Sequence, residues 1–163
     1  MKKLLLLSAI VFCLAESEAQ YVWTQKTNFG GVSVYDACAF SVGTKAYVGT
    51  GRDVTNYHND FWEYNTLTDT WTQVASLPGV TRYSCRTFVI GASGYIVSGY
   101  SPSSGFLKEL WEYNTGNNIW TQKTSHPGIA RYTAVAFALN NKGYFGLGSV
   151  FAGNYQNDLY EYD

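Results

Sequence analysis

Metal and acid–base chemistry draw mostly on histidine, cysteine and carboxylate side chains, and this sequence offers them sparingly. Only two His occur, His58 and His126, and neither has a second ligand at the short spacings that zinc or copper sites use. No zinc finger, P-loop or nucleotide-binding glycine pattern is present. Glu63, Glu112 and Glu161 invite an acid–base reading. Each sits between two aromatic residues, as Trp62-Glu63-Tyr64, Trp111-Glu112-Tyr113 and Tyr160-Glu161-Tyr162. A catalytic group should occur once, so a carboxylate repeated in one setting is expected to be structural, pairing with an Arg of the same repeat or capping backbone donors. Lys and Arg number 11 against 12 Asp and Glu, a net charge of −1. With no basic excess to neutralise phosphates, nucleic acid is excluded as a partner. No catalytic residue, metal or cofactor is expected.

The elements that must position these side chains form a repeat. Trp23-Thr24-Gln25 recurs as Trp71-Thr72-Gln73 and Trp120-Thr121-Gln122, at spacings of 48 and 49 residues. Trp62-Glu63-Tyr64-Asn65 recurs as Trp111-Glu112-Tyr113-Asn114 and Tyr160-Glu161-Tyr162-Asp163. Tyr47, Tyr95 and Tyr144 keep the same register, as do Gly51, Gly99 and Gly148. A period near 50 residues points to a propeller or a solenoid. The chain has 17% aromatic residues and 16 Gly but only 14% charged residues, which favours strands and tight turns over helices or disorder. In one period, Arg82–Ile90 is expected as a strand, 91–94 as a turn and Tyr95–Gly99 as a second strand. A variable loop over 100–108, a third strand Glu109–Asn114 with Trp111 and Tyr113 on one face, and a fourth strand from Trp120 complete it. Four short strands per period describe a propeller blade, and its repeated Trp and Tyr are expected as core.

The first nineteen residues read as an address. Met1-Lys2-Lys3 is a basic start, 4–14 is apolar apart from Ser8, and Ser17 and Ala19 supply small residues for cleavage. This is the pattern of a secretory signal peptide. The apolar run is too short for a membrane anchor, and Phe12 before Cys13 is too bulky for lipoprotein processing. Residues 20–163 are then expected as a propeller segment with repeats starting near Trp23, Trp71 and Trp120. It would be secreted, periplasmic or at the cell surface, with no membrane insertion after cleavage. Cys38 and Cys85 would remain where disulfides can persist. Their register sends them to opposite faces of equivalent strands, so they either face each other across a gap, the one case open to a bond, or turn their backs.

The chain resembles kelch-repeat β-propeller proteins of the exported bacterial, galactose-oxidase-like type. The likeness rests on the strand-start Arg82 and Arg131, on Tyr95 with Gly99, on the Trp-Glu-Tyr-Asn third strand and on the fourth-strand Trp. It covers 21–163. Kelch repeats usually carry two adjacent glycines after the second strand, and here Thr50, Ser98 and Leu147 stand first in each pair. Val34 replaces the strand-start Arg in the first blade, and Tyr160 replaces the third-strand Trp in the last. The resemblance implies an all-β fold of four-stranded antiparallel kelch-type blades, about three of them. That is a partial propeller or half of a six-bladed ring.

Loops after the second strand and between blades share one face, where kelch proteins mostly bind partners. Arg52, Tyr57, His58, Phe106, Lys108, His126, Arg131 and Tyr155 are the candidate ligand-binding residues there, with Arg82 and Phe151 beside them. The implied function is a non-enzymatic binding module for a protein or glycan. The alternative is a carbohydrate-active enzyme, mutarotase- or epimerase-like or galactose-oxidase-like. Counting strands leaves the third blade without its fourth, while 21–25 is a fourth-strand unit without a blade. Propellers often close with one terminus completing the other's blade. Either this chain is a fragment of a longer propeller, or two chains join head to tail as a homodimer. Otherwise it is an unstable open arc.

Overall fold

The computed structural model describes residues 21–151 and 153–163, so the expected signal peptide lies outside the described residues. Every regular element among them is a strand. Blade one is an antiparallel sheet of β1 (Cys38–Val42), β2 (Lys45–Gly49), β3 (Phe61–Asn65) and β4 (Thr70–Val74), in that order. Blade two follows the same plan with β5 (Arg86–Ile90) and β6 (Ser93–Val97). A short pair, β7 (Tyr100–Ser101) and β8 (Gly105–Phe106), precedes its outer strands β9 (Leu110–Asn114) and β10 (Ile119–Lys123). Blade three has β11 (Val135–Leu139), β12 (Lys142–Gly146), the short pair β13 (Ser149–Phe151) and β14 (Asn154–Tyr155), and β15 (Leu159–Tyr162). The fold is that of propeller blades in a partial propeller, with two complete blades and a three-stranded third.

The expected strand limits need adjustment. The first strand of blade two begins at Arg86, not Arg82, because Ser84 takes a left-handed φ of 53° and breaks the extended run. Gly91 and Ala92 alone form the next turn, since Ser93 already pairs with Ile90. The variable loop over 100–108 is an ordered miniature hairpin, with Tyr100 opposite Phe106.

Alternation along the strands builds the core. Phe40 stacks on Tyr47 at 5.1 Å and Phe88 on Tyr95 at 4.9 Å, and each pair is covered by the next blade. A Cβ on Gly94 would lie 2.1 Å from Phe40, and one on Gly143 2.2 Å from Phe88, so only glycine lets the blades approach this closely. Burying one such aromatic contributes about 1.5–3 kcal/mol.

Two arginines tie the crossings before β5 and β11 to the far side of the blades that follow. Arg82 Nη2 donates to Glu109 Oε2 at 2.5 Å, and Arg131 makes a two-pronged pair with Asp158; both guanidinium side chains are fully buried. The repeated glutamates do not take these partners. Glu63 lies 2.7 Å from Lys45 Nζ and accepts from the Tyr47 hydroxyl, Glu112 lies 2.7 Å from Lys123, and Glu161 pairs with Lys142 and Tyr144. The reason is register: each glutamate sits opposite a mid-strand Tyr, out of reach of the arginines in the crossings. Cys38 and Cys85 are free, buried thiols that face one another around Thr50, whose Oγ1 lies 3.5 and 3.4 Å from their sulfurs. The hydrogen bond to Cys85 and burial push the Cys38 thiol up.

Candidate functional site

The loops after β2, β6 and β12 and the crossings between blades gather on one side. Hydrogen bonds fix them there. Gly51 N donates to Arg82 O (2.9 Å) and Gly99 N to Arg131 O (3.1 Å), so each loop is bonded to the crossing that leads into the next blade. Glycine is required at both positions: φ is 91° and 106°, and an added Cβ would lie 2.9 Å from the carbonyl oxygens of Tyr35 and Tyr83. These contacts hold the crossings against the loops as short antiparallel bridges, Tyr35 to Arg52, Tyr83 to Tyr100 and Tyr132 to Ser149.

The result is an unbroken aromatic belt across three blades. Arg52 lies between two rings, its guanidinium carbon 4.6 Å from the Tyr35 centroid and 4.4 Å from that of Tyr83. Tyr57 stacks on Tyr83 at 5.8 Å, and Tyr83 meets Tyr100 at 5.5 Å. Phe106 then contacts Tyr100, Tyr132 and Phe151 at 5.2, 5.3 and 5.9 Å. Phe151 and Tyr155 stand exposed at the far end, and Tyr35 at the near end. A cation held between rings is a favourable contact and keeps its charge at the surface.

The blade-one loop is shaped by Asp53. Its carboxylate accepts from Thr55 N at 2.7 Å and Asn56 N at 2.6 Å, and its Oδ2 lies 3.1 Å from His58 Nε2. Those backbone donors, with the His58 contact, hold the Asp53 carboxyl well below the usual carboxylate range. His58 is thus a half-buried loop brace, with Nδ1 3.8 Å from Asp60. Among the described residues, no three His, Cys, Asp or Glu side chains gather where they could hold a metal ion.

Six of the eight candidate residues lie on this side: Arg52, Tyr57, His58, Phe106, exposed Lys108 and exposed Tyr155. His126 and Arg131 do not reach the surface. Arg131 is consumed by Asp158, and His126 is packed on Phe145 at 4.6 Å with Nε2 3.0 Å from Ser98 Oγ. Burial pulls the His126 imidazole down to about 4, so it is neutral. Sequence reasoning missed Tyr35, Tyr83 and Tyr132, which join the loops into one surface. Their signal was present, since they repeat at the same spacings as the Trp-Thr-Gln units.

The family model of the Kelch motif matches residues 33–78. That segment runs from the crossing before β1 through β4 to the next crossing, and it supports reading the chain as a kelch-repeat protein. No curated protein sequence matches the chain. Kelch repeats generally mediate protein interactions. No helix of the described residues is long and apolar enough to cross a membrane.

Proposed function

We propose that this chain is an exported kelch-type interaction module whose ligand is a protein that docks across the loop face. The observation that carries the reading is the aromatic belt from Tyr35 through Arg52, Tyr83 and Phe106 to Phe151. Tyr, Phe and Arg are the side chains that dominate protein interfaces, because they bring large contact area at low rotamer cost. Here they are held by backbone bridges before any partner arrives, which reduces the ordering cost of binding. The loops differ between blades in length and composition, so a constant scaffold presents a non-repeating surface. Export is supported by the basic start, the short apolar run and the small residues up to Ala19.

A glycan ligand is the second reading, favoured by the flat exposed rings of Tyr35 and Tyr155. The test is crosslinking of the purified chain to proteins of its own compartment, beside a glycan array. The proposal expects a protein crosslinked to the chain but not to a Phe151→Ala/Tyr155→Ala variant that melts like the parent. A glycan-array signal lost in that variant, with no protein crosslink, assigns the surface to sugar instead.

A further inference from the structure

Among the described residues, cysteine occurs at only one of the two junctions between blades. Cys38 and Cys85 meet between blades one and two, and one repeat later their places hold Arg86 and Ala134. A residue that recurs in every blade builds the blade, and this thiol pair does not recur. Packing does not require it either, since Ala37 and Ala134 stand in the place of Cys85 in the other two repeats. Both thiols are buried, at 6% and 1% exposure. Both lie against Thr50, its Oγ1 3.5 Å from the Cys38 sulfur and 3.4 Å from that of Cys85.

The backbone holds the pair from both sides. Ser84 N donates to Asp36 O at 2.9 Å before the cysteines, and Thr87 Oγ1 donates to Ala39 O at 2.6 Å after them. The two segments therefore run side by side across the junction, with both sulfurs turned toward one hydroxyl. The first clamp recurs at the second junction, where Thr133 N donates to Ser84 O at 3.3 Å, but there the gap is crossed by Arg86 Nε donating to Ala134 O at 2.5 Å. The hydrogen bond from Cys38, joined by one from Thr50 and by the Arg82 charge, draws the Cys85 thiol down against the effect of burial. A thiolate is the reactive form of cysteine, and it needs such donors and a nearby cation to exist in a buried place.

We propose that Cys38 and Cys85 are a peroxide-oxidisable pair that closes to a disulfide, a covalent staple between blades one and two. Hydrogen peroxide suits a buried pair because it is scarcely larger than water, and Cys38 keeps a strip of its surface in contact with solvent. The Cys85 thiolate attacks one peroxide oxygen, the O–O bond breaks, and the departing hydroxide takes up the proton that Cys85 gave up, leaving a sulfenic acid and water. The Cys38 sulfur then attacks the Cys85 sulfur, the S–O bond breaks, and the hydroxyl leaves with the Cys38 proton as a second water. The two sulfurs lose two electrons and the peroxide gains them. The staple lies beneath the Arg52 sandwich, because Tyr35 shortly precedes Cys38, Tyr83 shortly precedes Cys85 and Thr50 leads through Gly51 into Arg52. It therefore pins the two crossings that hold the guanidinium between rings. It also closes a covalent loop around the whole of blade one, which restricts the unfolded chain.

The test treats the purified, folded chain with hydrogen peroxide, then unfolds it, alkylates free thiols and maps its peptides. Cys38 and Cys85 are expected together in one cross-linked peptide pair, unalkylated, with the melting temperature raised by about 5–10 °C and restored by dithiothreitol. In Cys38→Ala, peroxide should leave Cys85 carrying added oxygen and the melting temperature unraised. Thiols that remain open to alkylation after peroxide overturn the proposal, as do two cysteines that each gain oxygen without a cross-link. A cross-link that forms no faster in the folded chain than in urea overturns it too, because the fold then does not bring the sulfurs together.

Discussion

The two junctions between blades are built on one plan and differ in a few side chains. Between blades one and two, Trp120 caps a cluster in which Phe61, Tyr47 and Tyr113 are all but completely buried. Between blades two and three the same positions hold Leu110, Tyr95 and Tyr162, and the cap is absent. Beneath the cap, the position of fully buried Leu77 is occupied by His126. The first junction is sealed, and at the Leu77 position it is apolar. The second is open and carries a titratable ring. Strand pairing and the glycine contacts are the same in both, so what separates the sealed junction from the open one is the outermost strand with its tryptophan, and His126 in the place of Leu77.

The largest expected effect comes from opening the sealed junction. Trp120→Ala removes contacts with Phe61 and Tyr113 and leaves a void, which should cost about 3–5 kcal/mol. Trp23→Ala removes an equivalent residue that touches nothing in the single chain, so its cost in a dilute urea melt should be near zero. Equal costs for the two would mean that Trp23 is already packed at high dilution, and the contrast between the junctions would collapse.

Much of this architecture was legible in the sequence, because a propeller blade writes its core at fixed spacing. Trp120, Tyr113, Tyr47 and Tyr95 could be placed as core, whereas Trp71 is only half-buried. What was not legible depends on distances between chain segments. His126 and Arg131 sit in crossings that look like surface loops, yet the crossings pass beneath the neighbouring sheet and bury both side chains. The glutamates were recognised as structural, but their Lys and Tyr partners follow from pairing register, which spacing alone does not give. The loop hairpins were hidden because two-residue strands leave no periodicity.

His126 sharpens the comparison at intermediate size. In the fold its imidazole is held down near 4 by burial, against 6.5 when exposed. Between those values the unfolded chain takes up a proton that the folded chain refuses. The contribution to stability is therefore full above pH 6.5 and falls as the pH drops toward 4. The loss should be about 1–3 kcal/mol in urea melts compared across that window. His126→Leu puts the residue of the first junction into the second, and should abolish that component of the acid loss. An unchanged pH profile would show that the ring is solvated and the second junction looser than its packing indicates.

The smallest effect concerns the residues before Gly51, Gly99 and Gly148. Thr50, Ser98 and Leu147 all adopt left-handed φ, at 59°, 61° and 57°. That conformation costs a residue with a Cβ roughly 1–2 kcal/mol. Thr50 offsets it by bridging the two thiols of the first junction, and Ser98 by pairing with His126 in the second. Leu147, on the uncovered blade, has only an exposed side chain. Leu147→Gly should therefore raise stability by about 1 kcal/mol in a urea melt. Ser98→Gly relieves the same strain but leaves His126 Nε2 without its partner, so it should be neutral or destabilising. If both glycine variants stabilise equally, the Ser98–His126 contact contributes nothing to the second junction. If neither does, the strain at these turns is already relaxed and the side chains were free to vary.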